Sequence, residues 1–268
     1  MTSATERDDQ PVIVSLEAGV ATVRLNRPTA MNALDHLMKE LLLSCLQDLA
    51  ADERVRAVVL TGTGKAFCVG QDLREHVAQI RSGQVLSSTV QEHYNPIVTL
   101  LLTMDKPVIA AVNGVAAGAG ASLAFAADAR FVADTAGFNT SFAAIGLSCD
   151  TGASWTLPRL VGYPAARELL LFPRTVPALE AQQLGLVTRL VPGAELASSV
   201  AQFAAELAQG PTLAYASIRQ ALAFSAGNDL ATSLEHEAAL MARTGASQDH
   251  LAAVEAFLAK TPPTFQGR

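Results

Sequence analysis

The stretch PVIAAVNGVAAGAG, from Pro107 to Gly120, decides the fold class. Its residues 108–112 form an apolar run of strand length, and the Asn-Gly pair that follows is a turn signal. A glycine-rich turn then leads into a predicted helix from about Ala119 to Ala127. A buried strand that continues through a turn into a helix is typical of a parallel sheet covered by helices.

The same alternation of strand and helix recurs on both sides of this stretch. Apolar runs predict strands at residues 20–25, 56–61 and 130–133, and residues 85–103 are predicted to be helical. A further helix follows the first strand. Its predicted apolar face comprises Leu34, Leu37, Met38, Leu41, Leu42, Cys45, Leu46 and Leu49. The predicted fold class is therefore α/β.

The C-terminal part of the chain has a different pattern. From about Ala194 to Lys260 it contains only Ala- and Leu-rich helical stretches, separated by Pro211 and by Gly227. We therefore predict an α/β core over residues 1–193 and an all-helical C-terminal region over residues 194–268. Because this region has little polar surface, we expect it to pack on the core or on another subunit.

Composition excludes several classes of protein. The chain has 268 residues, of which 50% are apolar and 16% charged, so it is not a disordered chain. Lys and Arg number 19 against 25 Asp and Glu, a net charge of −6, which disfavours a nucleic-acid partner. Local donors would have to hold an anionic ligand, because the overall field opposes it.

Cysteine usage and the N-terminus indicate a cytoplasmic protein. The three cysteines have no metal-like spacing and are expected to be reduced thiols. The N-terminal residues are polar and acidic, without a signal-peptide pattern. The most apolar run, Val108 to Ala127, contains Asn113 and several glycines, so no membrane association is expected.

Two glycine-rich turns, at residues 61–73 and 113–121, each follow a predicted strand. Their backbone N–H groups can approach a ligand closely because glycine has no Cβ. The second turn runs into a helix N-terminus, which favours negative charge, so two such turns facing each other could bind a developing oxyanion. Neither turn matches a phosphate loop or a dinucleotide fingerprint. Taken singly, each could simply be a structural turn.

Together, these turns and their flanking motifs resemble the crotonase (enoyl-CoA hydratase/isomerase) superfamily. The matching segments, in order, are LNRP at 25–28 with MNAL at 31–34, KAFCVGQDL at 65–73, PVIAAVNGVAAGAG at 107–120, LPRLVG at 157–162 and AQQLGLV at 181–187. The resemblance covers roughly residues 12–266.

The resemblance implies a spiral of ββα turns, assembled as a homotrimer or hexamer, and an acyl-CoA thioester substrate. By position, the backbone N–H groups of Gln71 and Ala119 are the implied oxyanion-hole donors. They would stabilise the enolate formed when a proton leaves the carbon next to the thioester. No metal and no further cofactor are implied, since coenzyme A is part of the substrate.

The acid/base positions decide the reaction. Ser122 and Phe142 occupy the places of the two glutamates that family hydratases use, so two-carboxylate hydration is disfavoured. Asp150 lies in a segment similar to the phenylacetate-pathway isomerase branch, where an aspartate at this position is the acid/base. Without the resemblance, Asp150 would be interpreted as the cap of a helix starting near Thr151. Aryl-CoA dehalogenases share the same local string, but have tryptophan where Phe142 stands.

An aspartate in this role needs an apolar pocket to raise its pKa. Phe142, Ile145, Leu147 and Trp155 are the expected walls.

Coenzyme A contacts are expected from two places. The segment Lys65, Ala66 and Phe67 would surround the adenine, partly through its backbone. By resemblance, Phe257 and Lys260 would reach the adenosine phosphate region, with Lys260 supplying a point charge. The alternative for Lys260 is an exposed last-turn lysine that stabilises its helix terminus.

Other polar side chains are given structural interpretations. Cys149 is expected to be a buried inert thiol, Asp72 to be structural, and His93 to lie on a helix surface. The remaining histidines are expected to be scattered, without a metal-like grouping; they are His36, His76, His236 and His250.

The leading hypothesis is therefore an acyl-CoA isomerase, specific for enoyl-CoA or epoxyphenylacetyl-CoA, with Asp150 as acid/base. An enoyl-CoA hydratase using Asp150 and a positioned water is the second hypothesis. Loss of both family glutamates motivates a third, a non-catalytic acyl-CoA-binding protein.

Overall fold

The computed structural model describes residues 9–83 and 87–268, and the predicted buried strands form the centre of its first sheet. This sheet has six strands in the order β1-β2-β3-β5-β7-β10, parallel except for the β1–β2 hairpin. The strands of the protein are β1 Val12–Glu17, β2 Val20–Leu25, β3 Ala57–Gly62, β4 Ala66–Cys68, β5 Val108–Val112, β6 Val115–Ala117, β7 Ala129–Ala133, β8 Gly137–Asn139, β9 Val176–Pro177 and β10 Arg189–Val191.

A second, four-stranded sheet has the order β4-β6-β8-β9, with β4, β6 and β8 parallel. Each consecutive strand pair, β3 with β4, β5 with β6 and β7 with β8, gives one strand to each sheet before the chain continues into helical or irregular segments. The chain therefore advances as a spiral, and the predicted α/β class is confirmed.

Helices cover the sheets and form the C-terminal part of the chain. They are α1 His36–Ala51, α2 Leu73–Arg81, α3 Ser87–Thr89, α4 Asn95–Thr103, α5 Ala119–Phe125, α6 Ala153–Leu171, α7 Ala178–Gln183, α8 Leu196–Gln209, α9 Thr212–Ser225, α10 Leu230–Gly245 and α11 Gln248–Ala259. A five-residue π-helix, Val90–Tyr94, joins α3 to α4. Within the described ranges, none of the helices is both long and apolar enough to cross a bilayer.

Helix α1 differs from its predicted apolar face at two neighbouring positions. Leu37 is 51% exposed, whereas Lys39 is fully buried. The helix begins after Asp35, whose side chain accepts a hydrogen bond from the Met38 N–H. Periodicity predicted the helix, but it could not predict that polar partners from other loops would bury Lys39.

The C-terminal region is all-helical, as predicted. Helix α8 packs on the six-stranded sheet and shares its core through Val200, Ala204 and Ala208. Helix α9 packs on α4, and α10 packs on α9. The last residues return to the core, where Arg56 donates hydrogen bonds to the carbonyls of Gly210 and Phe265.

Candidate active site

Two loops meet where neighbouring strands of the second sheet end. Because β4 and β6 are parallel, their carboxyl ends lie side by side, and the chain leaves them through residues 69–72 and through Gly118. A Cβ built on Gly70 would lie 2.9 Å from the Ala117 oxygen and 3.1 Å from the Ala119 nitrogen. The backbone beside Gln71 therefore touches the backbone of Ala119.

Pairing with Leu34 sets the direction of the Gln71 amide. The Leu34 N–H donates to the Gly70 oxygen at 2.7 Å, and the Asp72 N–H donates to the Leu34 oxygen at 3.0 Å. In such a parallel bridge, the intervening residue directs its own N–H to the opposite side. The Gln71 N–H thus points away from Leu34.

The second amide belongs to the first residue of α5. First-turn N–H groups have no partner within their helix and point out of its N-terminus. Gly118, immediately before Ala119, has φ +51° and ψ −126°, a conformation open only to glycine. A Cβ on Gly118 would meet no atom within 4 Å, so open space lies beside this turn.

Helix α5 starts in very close contact with strand β4. A Cβ on Gly120 would lie 2.1 Å from the Cys68 oxygen. Glycine is therefore required at this position for the approach of two backbones rather than for its own conformation.

Two asparagines brace the first loop. The Asn32 side chain, fully buried, donates to the carbonyls of Ala66 at 2.8 Å and Phe67 at 3.2 Å. Asn113 donates to the Ala66 oxygen at 3.1 Å and accepts from the Gly62 N–H at 3.2 Å. Both residues lie in the quoted motifs, but sequence analysis gave neither a role, because a buried amide is identified only by its partners.

Asp150 lies in the loop before α6 and is half-buried. Burial raises the pKa of its carboxyl, against the lowering effect of a 2.8 Å hydrogen bond from the Thr151 hydroxyl. Thr151 has φ +51° and Gly152 has φ +74°. A β-branched residue with positive φ is an outlier, and such strain is often found at functional sites.

The carboxyl of Asp150 does not cap α6. Helix α6 begins at Ala153, close to the expected start, but its cap position is Gly152 and no side chain forms a capping hydrogen bond there. The alternative interpretation of Asp150 as a helix cap is therefore wrong.

The expected walls of the Asp150 pocket differ in exposure. Phe142 is buried, but Ile145, Leu147 and Trp155 are exposed, and the Arg159 guanidinium stacks on the Trp155 ring. The segment that includes α4 also lies beside this loop, since a Cβ on Gly152 would lie 3.2 Å from Val98. Burial raises the pKa of Tyr94, and the nearby Asp150 charge adds to that rise.

Tyr94 links this carboxylate to the first loop. Its hydroxyl donates to the side-chain oxygen of Gln71 at 2.5 Å. The Lys39 ammonium donates to the same oxygen at 3.1 Å and to the Thr89 hydroxyl at 2.7 Å. Tyr94 therefore contacts Gln71 directly and lies close enough to Asp150 for its charge to be felt. Sequence analysis missed Lys39 because a lysine in a helical pattern normally faces solvent.

Neither of the two positions that hold glutamates in family hydratases offers a carboxyl group here. Ser122 is buried and its hydroxyl donates to the Gly118 carbonyl at 3.2 Å, while Phe142 is buried and apolar.

The residues expected to contact coenzyme A lie in two separate places. Lys65 is exposed, whereas the side chains of Ala66 and Phe67 are buried. Phe257 is exposed on α11, and Lys260 is the C-cap of that helix in the left-handed conformation. No hydrogen bond or ion pair in the described part of the chain joins Phe257 or Lys260 to the loops of Gln71 and Ala119.

Of the remaining polar residues, one has the structural role expected from the sequence and two differ from the expectation in their burial. Asp72 has structural contacts: it forms a 3.0 Å ion pair with Arg27 and accepts from the Arg74 N–H. His93 is buried in the π-helix near Thr89, not on a helix surface. Cys149 is half-buried rather than buried.

The histidines are also less scattered than expected. The ligand atoms of His36, Glu40 and His93 lie within 4.8 Å of one another.

Burial raises the pKa of the Cys68 thiol to about 12, so this cysteine beside the site is unreactive.

A cavity of about 650 Å³ opens elsewhere, between the six-stranded sheet and α8. None of Gln71, Ala119 and Asp150 lines it.

Comparison with known proteins identifies the family. A family model described as enoyl-CoA hydratase/isomerase matches residues 15–268. The chain belongs to the enoyl-CoA hydratase/isomerase family. The resemblance to the crotonase superfamily is thereby confirmed, and the chain is an enzyme of this family, which acts on acyl-CoA thioesters. The hypothesis of a non-catalytic acyl-CoA-binding protein is set aside.

Relatives within this family carry both hydratase and isomerase names. The chain is 41% identical over 253 residues to a "Probable enoyl-CoA hydratase" of Rhodobacter capsulatus, covering 94% of this chain and 96% of that one. It is 38% identical over 258 residues to the 1,2-epoxyphenylacetyl-CoA isomerase of Escherichia coli, covering 96% and 98%. A family member of known structure from Mycobacterium abscessus has a TM-score of 0.91 at 44% identity, covering 96% and 100%.

Proposed function

We propose that this enzyme is an acyl-CoA isomerase in which Asp150 carries the proton and the Gln71 and Ala119 amides hold the thioester oxygen. The observation that carries the proposal is the half-buried carboxylate of Asp150 near Tyr94, whose hydroxyl donates to Gln71 at 2.5 Å. Both glutamate positions are filled by side chains without a carboxylate, Ser122 and Phe142, which cannot act as the general acid or base for water.

The proposed reaction is a proton shift along the acyl chain. The Asp150 carboxylate takes a proton from the carbon next to the thioester, and the electron pair moves onto the thioester oxygen. The two N–H groups stabilise the resulting enolate because they are fixed before the charge develops. Asp150 then returns the proton to a more distant carbon while the double bond moves, so no atom is gained or lost.

The raised pKa of Asp150 suits both halves of this shift. A carboxyl of ordinary pKa is a weak base and a poor acid near neutral pH, and burial brings it closer to the working range. One group can therefore remove a proton at one carbon and deliver a proton at another.

The remaining parts of the proposal follow from this chemistry. Each step is a proton transfer, so no metal or further cofactor is required. Lys65, Ala66 and Phe67 would contact the adenine of coenzyme A, with Phe257 and Lys260 on the adenosine phosphate, in a homotrimer or hexamer located in the cytoplasm. Enoyl-CoA and ring-epoxidised phenylacetyl-CoA are the two candidate substrates, the second because of the name of the Escherichia coli relative.

Proton transfer by Asp150 is tested with Asp150→Asn. We expect turnover to fall by about a hundredfold to ten-thousandfold, while binding of a saturated acyl-CoA changes little. Incubation of enoyl-CoA substrates in heavy water should place deuterium at carbons two and four without added oxygen.

The matched control is Asp134→Asn, which alters a carboxylate that accepts from the Gly193 N–H at 3.0 Å. Its turnover should equal that of the wild type. Full activity in Asp150→Asn would refute the acid/base assignment.

Hydration is the second candidate function, supported by the hydratase name of the Rhodobacter capsulatus relative. In that case Asp150 would activate a positioned water. Loss of the conjugated thioester absorbance of crotonyl-CoA, with oxygen incorporated at carbon three, would favour hydratase over isomerase.

A further inference from the structure

The side-chain oxygen of Gln71 receives two hydrogen bonds from buried donors. The Lys39 ammonium is 3.1 Å away and the Tyr94 hydroxyl 2.5 Å. An ammonium group can only donate, so the atom facing Lys39 must be the carbonyl oxygen of the amide and not its nitrogen. The orientation of the Gln71 amide is therefore chemically determined.

The amide nitrogen of Gln71 is then left without a partner. Within the described chain, Nε2 is shielded from solvent and has no hydrogen-bond partner. A buried donor without a partner is unfavourable. Gln71 as a whole is half-buried, so the residue is not fully enclosed by the protein, and open space lies beside the neighbouring Gly118 turn. A group that enters with the acyl chain could supply the missing acceptor.

Keeping Lys39 in place is itself costly. The side chain is fully buried and desolvation lowers the pKa of its ammonium. Its compensation consists of the Gln71 oxygen, the Thr89 hydroxyl and the Glu75 carboxylate at 3.6 Å. The buried Lys39 ammonium therefore fixes the orientation of the half-buried Gln71 side chain, because it must keep the amide oxygen as its acceptor.

We propose that Lys39 is a positioning residue which, with Tyr94, holds the Gln71 side-chain amide so that its NH₂ group donates to an oxygen atom carried by the acyl group. Gln71 then offers two donors to one ligand, the backbone N–H to the thioester oxygen and the side-chain NH₂ to a second oxygen. This inference rests on the proposed acyl-CoA site and narrows its substrate to acyl groups that bear an oxygen acceptor, such as an epoxide, rather than plain hydrocarbon chains.

The test measures binding alone. Dissociation constants are determined for phenylacetyl-CoA and its 2-, 3- and 4-hydroxy derivatives. We expect the wild type to bind one derivative between about threefold and tenfold more tightly than phenylacetyl-CoA, the range that one neutral hydrogen bond gives. Gln71→Met keeps the backbone N–H and the side-chain length but removes the NH₂ group, so the preference should disappear. Lys39→Met should reduce the preference, because the Gln71 amide can then rotate and exchange the positions of its oxygen and its NH₂ group.

Lys106→Met is the matched control. Lys106 is also buried, with a lowered pKa, but it donates to the Ala50 and Asp52 carbonyls at the end of α1. This variant should lose stability and keep the full preference. If Lys39→Met does not fold, Gln71→Met decides alone.

An unchanged preference in Gln71→Met, or no preferred derivative in the wild type, would overturn the inference. Neither result bears on Asp150, whose proposed role is tested by turnover and deuterium incorporation. The two proposals can therefore fail separately.

Discussion

At the scale of single residues, the surroundings of one carboxyl group determine the pH range of the reaction. Burial raises the pKa of Asp150, and the Thr151 hydroxyl works against that rise by stabilising the carboxylate. The base form does the first step of the proposed reaction, so activity should increase as pH rises through the pKa of Asp150.

Thr151→Val should shift the acid-side limb of the pH–activity profile to higher pH. The substitution keeps the side-chain shape and removes the donor that lowers the pKa of Asp150. The measurement is the pH dependence of kcat/KM on the acid side. Thr156→Val is the control, because the Thr156 hydroxyl donates to the Gly152 carbonyl at 3.0 Å and not to Asp150. An unshifted limb in Thr151→Val would contradict the assignment.

Asp150→Asn should also increase the stability of the fold near neutral pH. A carboxyl whose pKa is higher in the folded than in the unfolded state loses stability as pH rises from its unfolded value, about 3.9, through its folded value. Asparagine can still accept from Thr151 and carries no such penalty. Thermal unfolding at pH 7 should therefore give a higher Tm for the variant, and the difference should shrink toward pH 4. A lower Tm at pH 7 would show that the carboxylate is not disfavoured by its surroundings.

At the scale of elements, the start of α5 depends on two glycines for different reasons. Gly120→Ala would force a Cβ to within 2.1 Å of the Cys68 carbonyl and push the helix away from β4. Gly118→Ala would meet open space but would strain the backbone at φ +51°. We expect Gly118→Ala to cost about 1–3 kcal/mol and Gly120→Ala more.

Urea unfolding and turnover of both variants test this difference. Both substitutions should reduce activity, because each displaces the Ala119 amide. Equal stability of Gly120→Ala and the wild type would mean that α5 and β4 can separate without cost, contrary to the structure.

The elements were predicted best where burial is uniform. The run 108–112 is strand β5 without any shift of its ends, because five consecutive apolar residues fit only a fully buried strand here. The π-helix Val90–Tyr94 lay inside a predicted ordinary helix, since hydrophobic spacing does not distinguish the two. The short strands β4, β6 and β8 were not predicted, because three residues carry too little pattern.

At the scale of the whole molecule, the C-terminal residues are tied back to the core. The Asp249 carboxylate is buried and accepts from the N–H groups of Gln266 at 2.6 Å and Gly267 at 2.8 Å. Arg56, just before β3, donates to the Phe265 and Gly210 carbonyls. The chain end thus stabilises the helical region through contacts distant in sequence.

Asp249→Ala should destabilise the protein by about 2–3 kcal/mol, because two buried N–H groups lose a charged acceptor. Amide hydrogen exchange at Gln266 and Gly267 should accelerate with it. The exposed helix cap Asp229→Ala is the comparison, and we expect it to cost less stability than Asp249→Ala and to leave those two amides unaffected. Protected amides in Asp249→Ala would contradict this description.

The candidate site was predictable only where the backbone supplies the chemistry. Gln71 and Ala119 were assigned from the family resemblance, because an oxyanion-hole N–H depends on the position of a residue in the motif and not on its side chain. Lys39, Tyr94 and Asn32 could not be found in this way, since their roles come from partners more than twenty residues away along the chain. Of the four walls expected for the Asp150 pocket, Phe142 is buried and the other three are exposed.

The parallel pairing of β4 with β6 has a consequence for how new chemistry could be installed. The thioester oxygen would be held by backbone N–H groups, which every residue except proline has, whereas the reactive group is the carboxyl of one side chain. A carboxyl could therefore be introduced at position 122 or 142 to seek a different reaction without changing those N–H groups. In this fold, backbone groups would bind the substrate, and the position of one acidic side chain would determine which reaction follows.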